Sequence, residues 1–220
     1  MAPAPTLYGR GHQLRESGNR TIRPLHGGIL CLDFINTASD HTGLPAEDDL
    51  SPGYVNIVDW FWQAGVLTED DAARLLRAAS KEPREAAAVR KRAVALREAL
   101  YAILLAVKSG GEPAADSLDL FNREHGAALG HGGLAPNGTS LAWQWQAGSQ
   151  LDRMLWPVCE SAAALLSGGQ LVKVKQCAAP TCQAFFLDGS KNGSRRFCST
   201  AGCGTATRVR RFRERHNSGS

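Results

Sequence analysis

Four cysteines crowd one end of this chain. Cys177, Cys182, Cys198 and Cys203 are spaced C-x4-C-x15-C-x4-C. Two close pairs joined by a loop are what a tetrahedral zinc site needs, because each pair bites the metal from one turn and the loop brings the turns together. Pro180, inside the first pair, favours a tight reversal. Residues 170–176 and 183–187 have strand character, which puts the first pair at a hairpin tip. The second pair falls where a basic helix over roughly 200–216 should begin. A helix N-terminus favours thiolate, since its free N–H groups and dipole stabilise negative charge. Four unrelated cysteines or a pair of disulfides are the alternatives. Pairing and clustering favour one zinc ion per chain, because thiols grouped in a reducing compartment read as metal ligands. Four thiolates close the coordination sphere, which makes the site structural; catalytic zinc keeps a position for water. A base deaminase would also need His-x-Glu beside its cysteines, and no histidine here has it.

The same segment is basic. Residues 173–216 hold ten Lys and Arg, opposed by Asp188 and Glu214, so the net charge of +4 divides into +8 here and −4 elsewhere. A piece of about 45 residues buries little core of its own, and metal binding would supply folding energy on the order of 10 kcal/mol. Arg195 and Arg196 precede Cys198, while Arg208, Arg210, Arg211, Arg213 and Arg215 follow Cys203. Positions 208, 211 and 215 share one helix face, which 210 and 213 widen. Such a surface suits phosphate oxygens, and Arg also reads guanine edges. A solvated basic face docked on the acidic remainder is the plainer reading. A rigid metal-held scaffold that presents the arginines together favours nucleic acid, with duplex DNA first. Phe197 and Phe212 are expected to pack beside the metal rather than stack on bases.

Upstream, the pattern is mainly helical. Residues 55–64 fit a helix with an aromatic face, and Thr68 caps one that ends near Ser80. Val89, Ala93, Leu96, Leu100, Ile103 and Val107 recur at three and four residues in the clearest amphipathic helix, which Gly110-Gly111 ends. Residues 118–129 and 151–166 read as two further helices. Asn137-Gly138, before an alternating Leu141-Ala142-Trp143-Gln144-Trp145, reads as a hairpin turn. Residues 27–37 fit either a strand or a short helix. Cys31 and Cys159 sit in apolar contexts and are expected in the core.

Residues 1–24 read as a flexible arm and 217–220 as a tail. The longest apolar run, residues 99–107, falls far short of the roughly 20 residues that span a bilayer. The first eleven residues lack an apolar signal core, so the expected location is cytoplasmic, with no membrane partner. No nucleophile–base pair or Gly-rich phosphate loop appears, and no enzymatic activity or catalytic residue is expected.

Two blocks of residues resemble a known pair of domains. Cys177-x4-Cys182, then Phe186-Leu187-Asp188-x-Ser190, Ser194-Arg195-Arg196-Phe197-Cys198-Ser199 and Cys203-Gly204, resemble the CGNR-type zinc finger. Gly27-Gly28-x-Leu30-x-Leu32-Asp33-Phe34-x-Asn36-Thr37 and Leu96-Arg97-Glu98-Ala99-Leu100-Tyr101 resemble the ABATE domain that usually precedes that finger. The resemblance implies a bacterial, stress-induced transcription regulator, with a DNA-binding finger behind a helical domain. The family's name comes from Cys-Gly-Asn-Arg; here Thr205 and Ala206 follow Cys203-Gly204, which leaves the zinc ligands intact.

The expected architecture is a mainly α N-terminal domain with a small β-hairpin (25–169), then an α+β, treble-clef-like four-cysteine zinc finger (170–216). The expected function is DNA-binding transcription regulation, with the helical domain sensing an effector or forming a homodimer. A zinc-stabilised RNA- or protein-interaction module is the alternative. Asp33, Asn36 and Thr37 are the candidate small-molecule effector site, weighed against helix capping and buried hydrogen bonds.

Overall fold

The computed structural model describes residues 25–38 and 53–217. The expected arm at 1–24 and residues 218–220 of the expected tail lie outside them. Helix α1 (Leu30–Ile35) is followed by α2 (Tyr54–Gln63), α3 (Glu69–Lys81), α4 (Pro83–Lys108) and α5 (Ala115–Leu129). Strands β1 (Gly132–Asn137) and β2 (Ser140–Trp145) then pair antiparallel, with Asn137 opposite Ser140. Gly138 takes a φ of 60° in that turn, which explains the Asn-Gly pair. Helix α6 (Trp156–Ser167), strands β3 (Val174–Gln176) and β4 (Phe185–Leu187) and helix α7 (Thr205–Asn217) complete the chain.

Local chemistry fixes these boundaries. Thr68 and Asp71 form a reciprocal capping box at the start of α3. Pro83 opens α4, where its missing N–H costs nothing. The sequence places a helix over 151–166; the structure starts α6 at Trp156, after a 3-10 turn at Arg153–Leu155, because Pro157 suits a first turn. Likewise only 174–176 of the expected strand 170–176 is extended, and Leu171–Lys173 form a 3-10 turn.

The ambiguous stretch at 27–37 is a helix, and a central one. All six residues of α1 are buried. Its neighbours are α4, α6 and β4. Gly27 packs so closely on the helix that an added Cβ would lie 2.7 Å from the Asp33 nitrogen. Its N–H donates to Asp33 Oδ1 at 2.7 Å, and Gly28 follows with a φ of 85°. The main core gathers around this helix, with Phe34, Phe61, Leu96, Leu100 and Ile103 sealed inside. Cys31 and Cys159 are buried in that core, and burial pushes both thiols up to about 12. No helix among the described residues is long and apolar enough to cross a membrane.

Candidate metal centre and basic helix

Strands β3 and β4 pair antiparallel, and the Cys177 N–H extends their ladder by donating to Ala184 O at 2.9 Å. Beyond that bond the chain turns tightly, with the Cys182 N–H donating to Ala179 O at 3.0 Å. The first cysteine pair therefore occupies a hairpin tip, as its spacing predicts. The second pair is carried up to it. The Ala178 N–H donates to Arg196 O at 2.9 Å, and the Cys198 N–H points at Cys177 Sγ at 3.4 Å. Cys203 lies in a π turn at Thr200–Gly204, capped by Ser199 Oγ accepting from the Gly202 N–H. The α-helix proper begins only at Thr205, five residues later than the sequence suggests. Cys203 sits within that turn, before α7 sets off.

The four sulfurs all lie within 4.8 Å of one another. A Zn–S bond near 2.3 Å sets tetrahedral sulfurs about 3.8 Å apart. Cys182 and Cys198 are 3.7 Å apart, and Cys198 and Cys203 3.6 Å. Without a cation such crowding lets one thiol ionise at the others' expense. The hydrogen bond from Cys198 draws Cys182 down to about 5, while burial raises Cys203 to about 11. Its bond to Cys182 and its burial push Cys198 up as well. A divalent metal removes that conflict, because it stabilises every coordinating thiolate.

A second polar hub supports the centre, and the sequence reading missed it. The Asp188 carboxylate, 3% exposed, accepts from the Ser190 N–H at 2.9 Å, Ser190 Oγ at 2.6 Å, the Arg195 N–H at 3.1 Å and Lys175 Nζ at 2.6 Å. These bonds, Lys175 first, hold its pKa well below the usual carboxylate range. Lys175 also reaches Gly193 O and Arg195 O. The loop from 188 to 195 is thereby tied back to β3. Asp and Ser two residues apart after an apolar strand were the available signal.

Arg195 needs correction as a nucleic-acid contact. Its guanidinium turns inward over the Phe186 ring, 4.4 Å from the centroid. Its Nε donates to Phe197 O at 3.0 Å, while its terminal nitrogens reach Leu187 O, Cys198 O and His26 O. With each nitrogen committed to a carbonyl, it braces the zinc loop. Arg210 is half-buried and lies 3.4 Å from Glu214. Arg196, Arg208, Arg211, Arg213 and Arg215 are exposed. Phe197 packs beside the cysteines as expected, but Phe212 does not: it is 55% exposed on α7. Thr205 and Ala206 are exposed; Thr205 Oγ1 donates to Thr200 O and accepts from Arg208 at 3.3 Å.

Asp33 of α1, its C-cap Asn36 and the following Thr37 bond within the chain itself. Thr37 Oγ1 donates to Phe34 O at 2.7 Å, and Asp33 accepts from Gly27. Asn36 does more. Its Nδ2 donates to Phe185 O at 2.7 Å, and its Oδ1 accepts from the Phe185 N–H at 2.9 Å. One carboxamide thus replaces a missing strand along the free edge of β4. The Leu187 N–H donates to Gly27 O at 2.8 Å on the same edge. Tyr101 of α4 adds a bond to Gln183, beside Cys182, at 2.8 Å. The geometry therefore matches the capping and hydrogen-bonding reading of these residues, and their bonds run to the metal hairpin.

Comparison with protein families agrees with this division of labour. Residues 28–169 match ABATE, "Putative stress-induced transcription regulator". Residues 173–216 match the CGNR zinc finger. The four cysteines of that finger hold one structural zinc. No curated protein matches the chain.

Proposed function

We propose that this chain, which belongs to the ABATE family, is a cytoplasmic transcription regulator that grips duplex DNA with the arginines of α7 and Arg196. The carrying observation is the contrast within the basic segment. Lys175 and Arg195 are spent on internal carbonyls and Asp188, whereas Arg196, Arg208, Arg211, Arg213 and Arg215 stand free of the core on a metal-held root. Guanidinium groups fixed on a rigid support are suited to phosphate oxygens. The zinc is structural in this reading: it sets the direction in which α7 leaves the finger. The helical body would bind an effector or a second copy, and its contact with the finger through Asn36 and Tyr101 offers the route by which either could move α7.

Salt titration of binding to duplex DNA tests this reading. Five phosphate contacts would give a log–log slope of about −4.5, since each phosphate neutralised releases its counterions. Arg211→Ala and Arg215→Ala should each reduce that slope by about one. A flat salt dependence, or no binding at low salt, contradicts the reading. Tighter binding to an RNA of the same length would transfer it to the RNA-binding alternative.

A further inference from the structure

Helix α7 projects from the finger with little to lean on. It packs chiefly against the π turn at its own root, and Thr207 is its buried residue among those described. Basic residues run along it, yet its outer face carries an apolar stripe. Val209 and Phe212 are 44% and 55% exposed, and the Phe212 ring centroid lies 4.0 Å from that of His216. Positions 209, 212 and 216 share a face at three- and four-residue spacing. Arg208, Arg211 and Arg215 flank that stripe on one side, and Arg213 flanks it on the other.

An exposed Phe and Val flanked by arginines do not suit a second copy of the same helix, because the like charges would meet. They are also too few to anchor a helix in a bilayer surface. The duplex major groove fits them better. It is about 12 Å wide and admits one helix; its walls are phosphates, and its floor offers one apolar feature, the C5 methyl of thymine. We propose that Val209 and Phe212 contact thymine methyl groups on the floor of the major groove, while Arg208, Arg211, Arg213 and Arg215 hold the phosphates on its walls. The inference rests on the DNA-binding reading and gives that interface its base preference.

The test uses the full, zinc-loaded chain. A duplex is selected from a random-sequence pool by binding to the protein, then resynthesised with uracil in place of thymine at each position in turn. Loss of the methyl at one or two positions should weaken binding several-fold. Phe212→Ala should remove most of that difference while keeping the salt slope, and Phe212→Leu should restore part of it. Phe212 is solvent-exposed, so zinc content and helicity should match the parent in both variants. DNA binding with no thymine–uracil difference overturns the inference and leaves the DNA-binding reading standing. No DNA binding at any salt overturns both. A thymine effect that survives in Phe212→Ala and Val209→Ala also overturns it. So does Phe212-dependent binding to phosphatidylserine vesicles without a thymine effect.

Discussion

The helical body seals Phe34, Phe61, Leu96, Leu100 and Ile103 in one apolar core, whereas the finger's own cluster is Cys177, Ala179, Phe186 and Cys198 with a few half-buried neighbours. The first is held by burial at about 25 cal/mol per Å² of apolar surface. The second is too small for that and depends on metal and on the Asp188–Arg195 network. Strand β4 joins the two schemes. Because successive side chains point to opposite faces, Phe185 enters the body's core while Phe186 joins the cysteines. The finger is thus anchored at its root by the body and free at its far end, where α7 projects. Rigidity at the root and exposure at the tip are what presentation of an arginine helix requires.

The largest effect should follow loss of the metal. Cys177→Ser with Cys203→Ser removes two ligands and should abolish zinc retention, with a folding loss in the finger on the order of 10 kcal/mol. Elemental analysis reads the metal, and circular dichroism should show α7 melting while most of the body's helicity persists. Zinc retained at one per chain would break the ligand assignment.

The two phenylalanines of β4 sharpen the comparison. Phe185→Ala should cost about 3–5 kcal/mol, the usual range for a fully buried phenylalanine, and should appear in the body's unfolding transition. Phe186→Ala should act mainly on zinc affinity, measured by competition with a chelator. Equal effects of both on both readouts would show that the strand does not divide its faces in this way.

Asn36→Ala should cost less, about 1–3 kcal/mol, by stranding the N–H and C=O of Phe185. Its distinguishing signature is a zinc affinity lowered by a substitution far from any ligand in sequence. Chelator competition on Asn36→Ala against Thr37→Ala isolates it, since the Thr37 hydroxyl donates within the α1 turn rather than to β4 among the described residues.

The smallest effect belongs to the body alone. Burial raises the Asp71 carboxyl, but the Thr68 hydroxyl and amide and the Arg153 guanidinium outweigh it and hold the pKa at about 2. Its folded pKa is depressed, so its stabilisation is full above about pH 4 and is lost as pH falls towards 2. Asp71→Asn should flatten that part of the acid unfolding curve by about 1 kcal/mol, the usual worth of a helix cap. A parallel loss of zinc affinity at neutral pH would contradict its separation from the finger.

Much of this architecture was legible in the sequence, and the parts that were not share a cause. The α4 period, the Asn137-Gly138 turn and the cysteine pairs are local signals, and each appears where its spacing places it. The start of α7 is not legible, because nothing in Thr200–Gly204 distinguishes a π turn from a first α turn. Charge in a sequence carries no direction, so Arg195 groups there with the surface arginines; the Phe186 ring and the carbonyls of His26, Leu187, Phe197 and Cys198 turn it inward. Asn36 lies 149 residues from its partner Phe185, beyond the reach of any periodicity. The Gly27-Gly28 pair has the same character. Its close packing on α1 explains the glycine at 27, and its carbonyl bond to Leu187 is a contact no local pattern encodes.

Tryptophan fluorescence tests the shared root directly, because Trp60, Trp62, Trp143, Trp145 and Trp156 all lie in the body and none lies in the finger. Thermal unfolding is followed through that signal in the zinc-loaded chain and again after chelation. Because β4 contributes Phe185 and its edge to the body, removing zinc should lower the tryptophan midpoint by several degrees, and restoring zinc should recover it. An unchanged midpoint in a chain shown to have lost its zinc would mean that the body folds without regard to the finger, and the account of a shared root would be wrong.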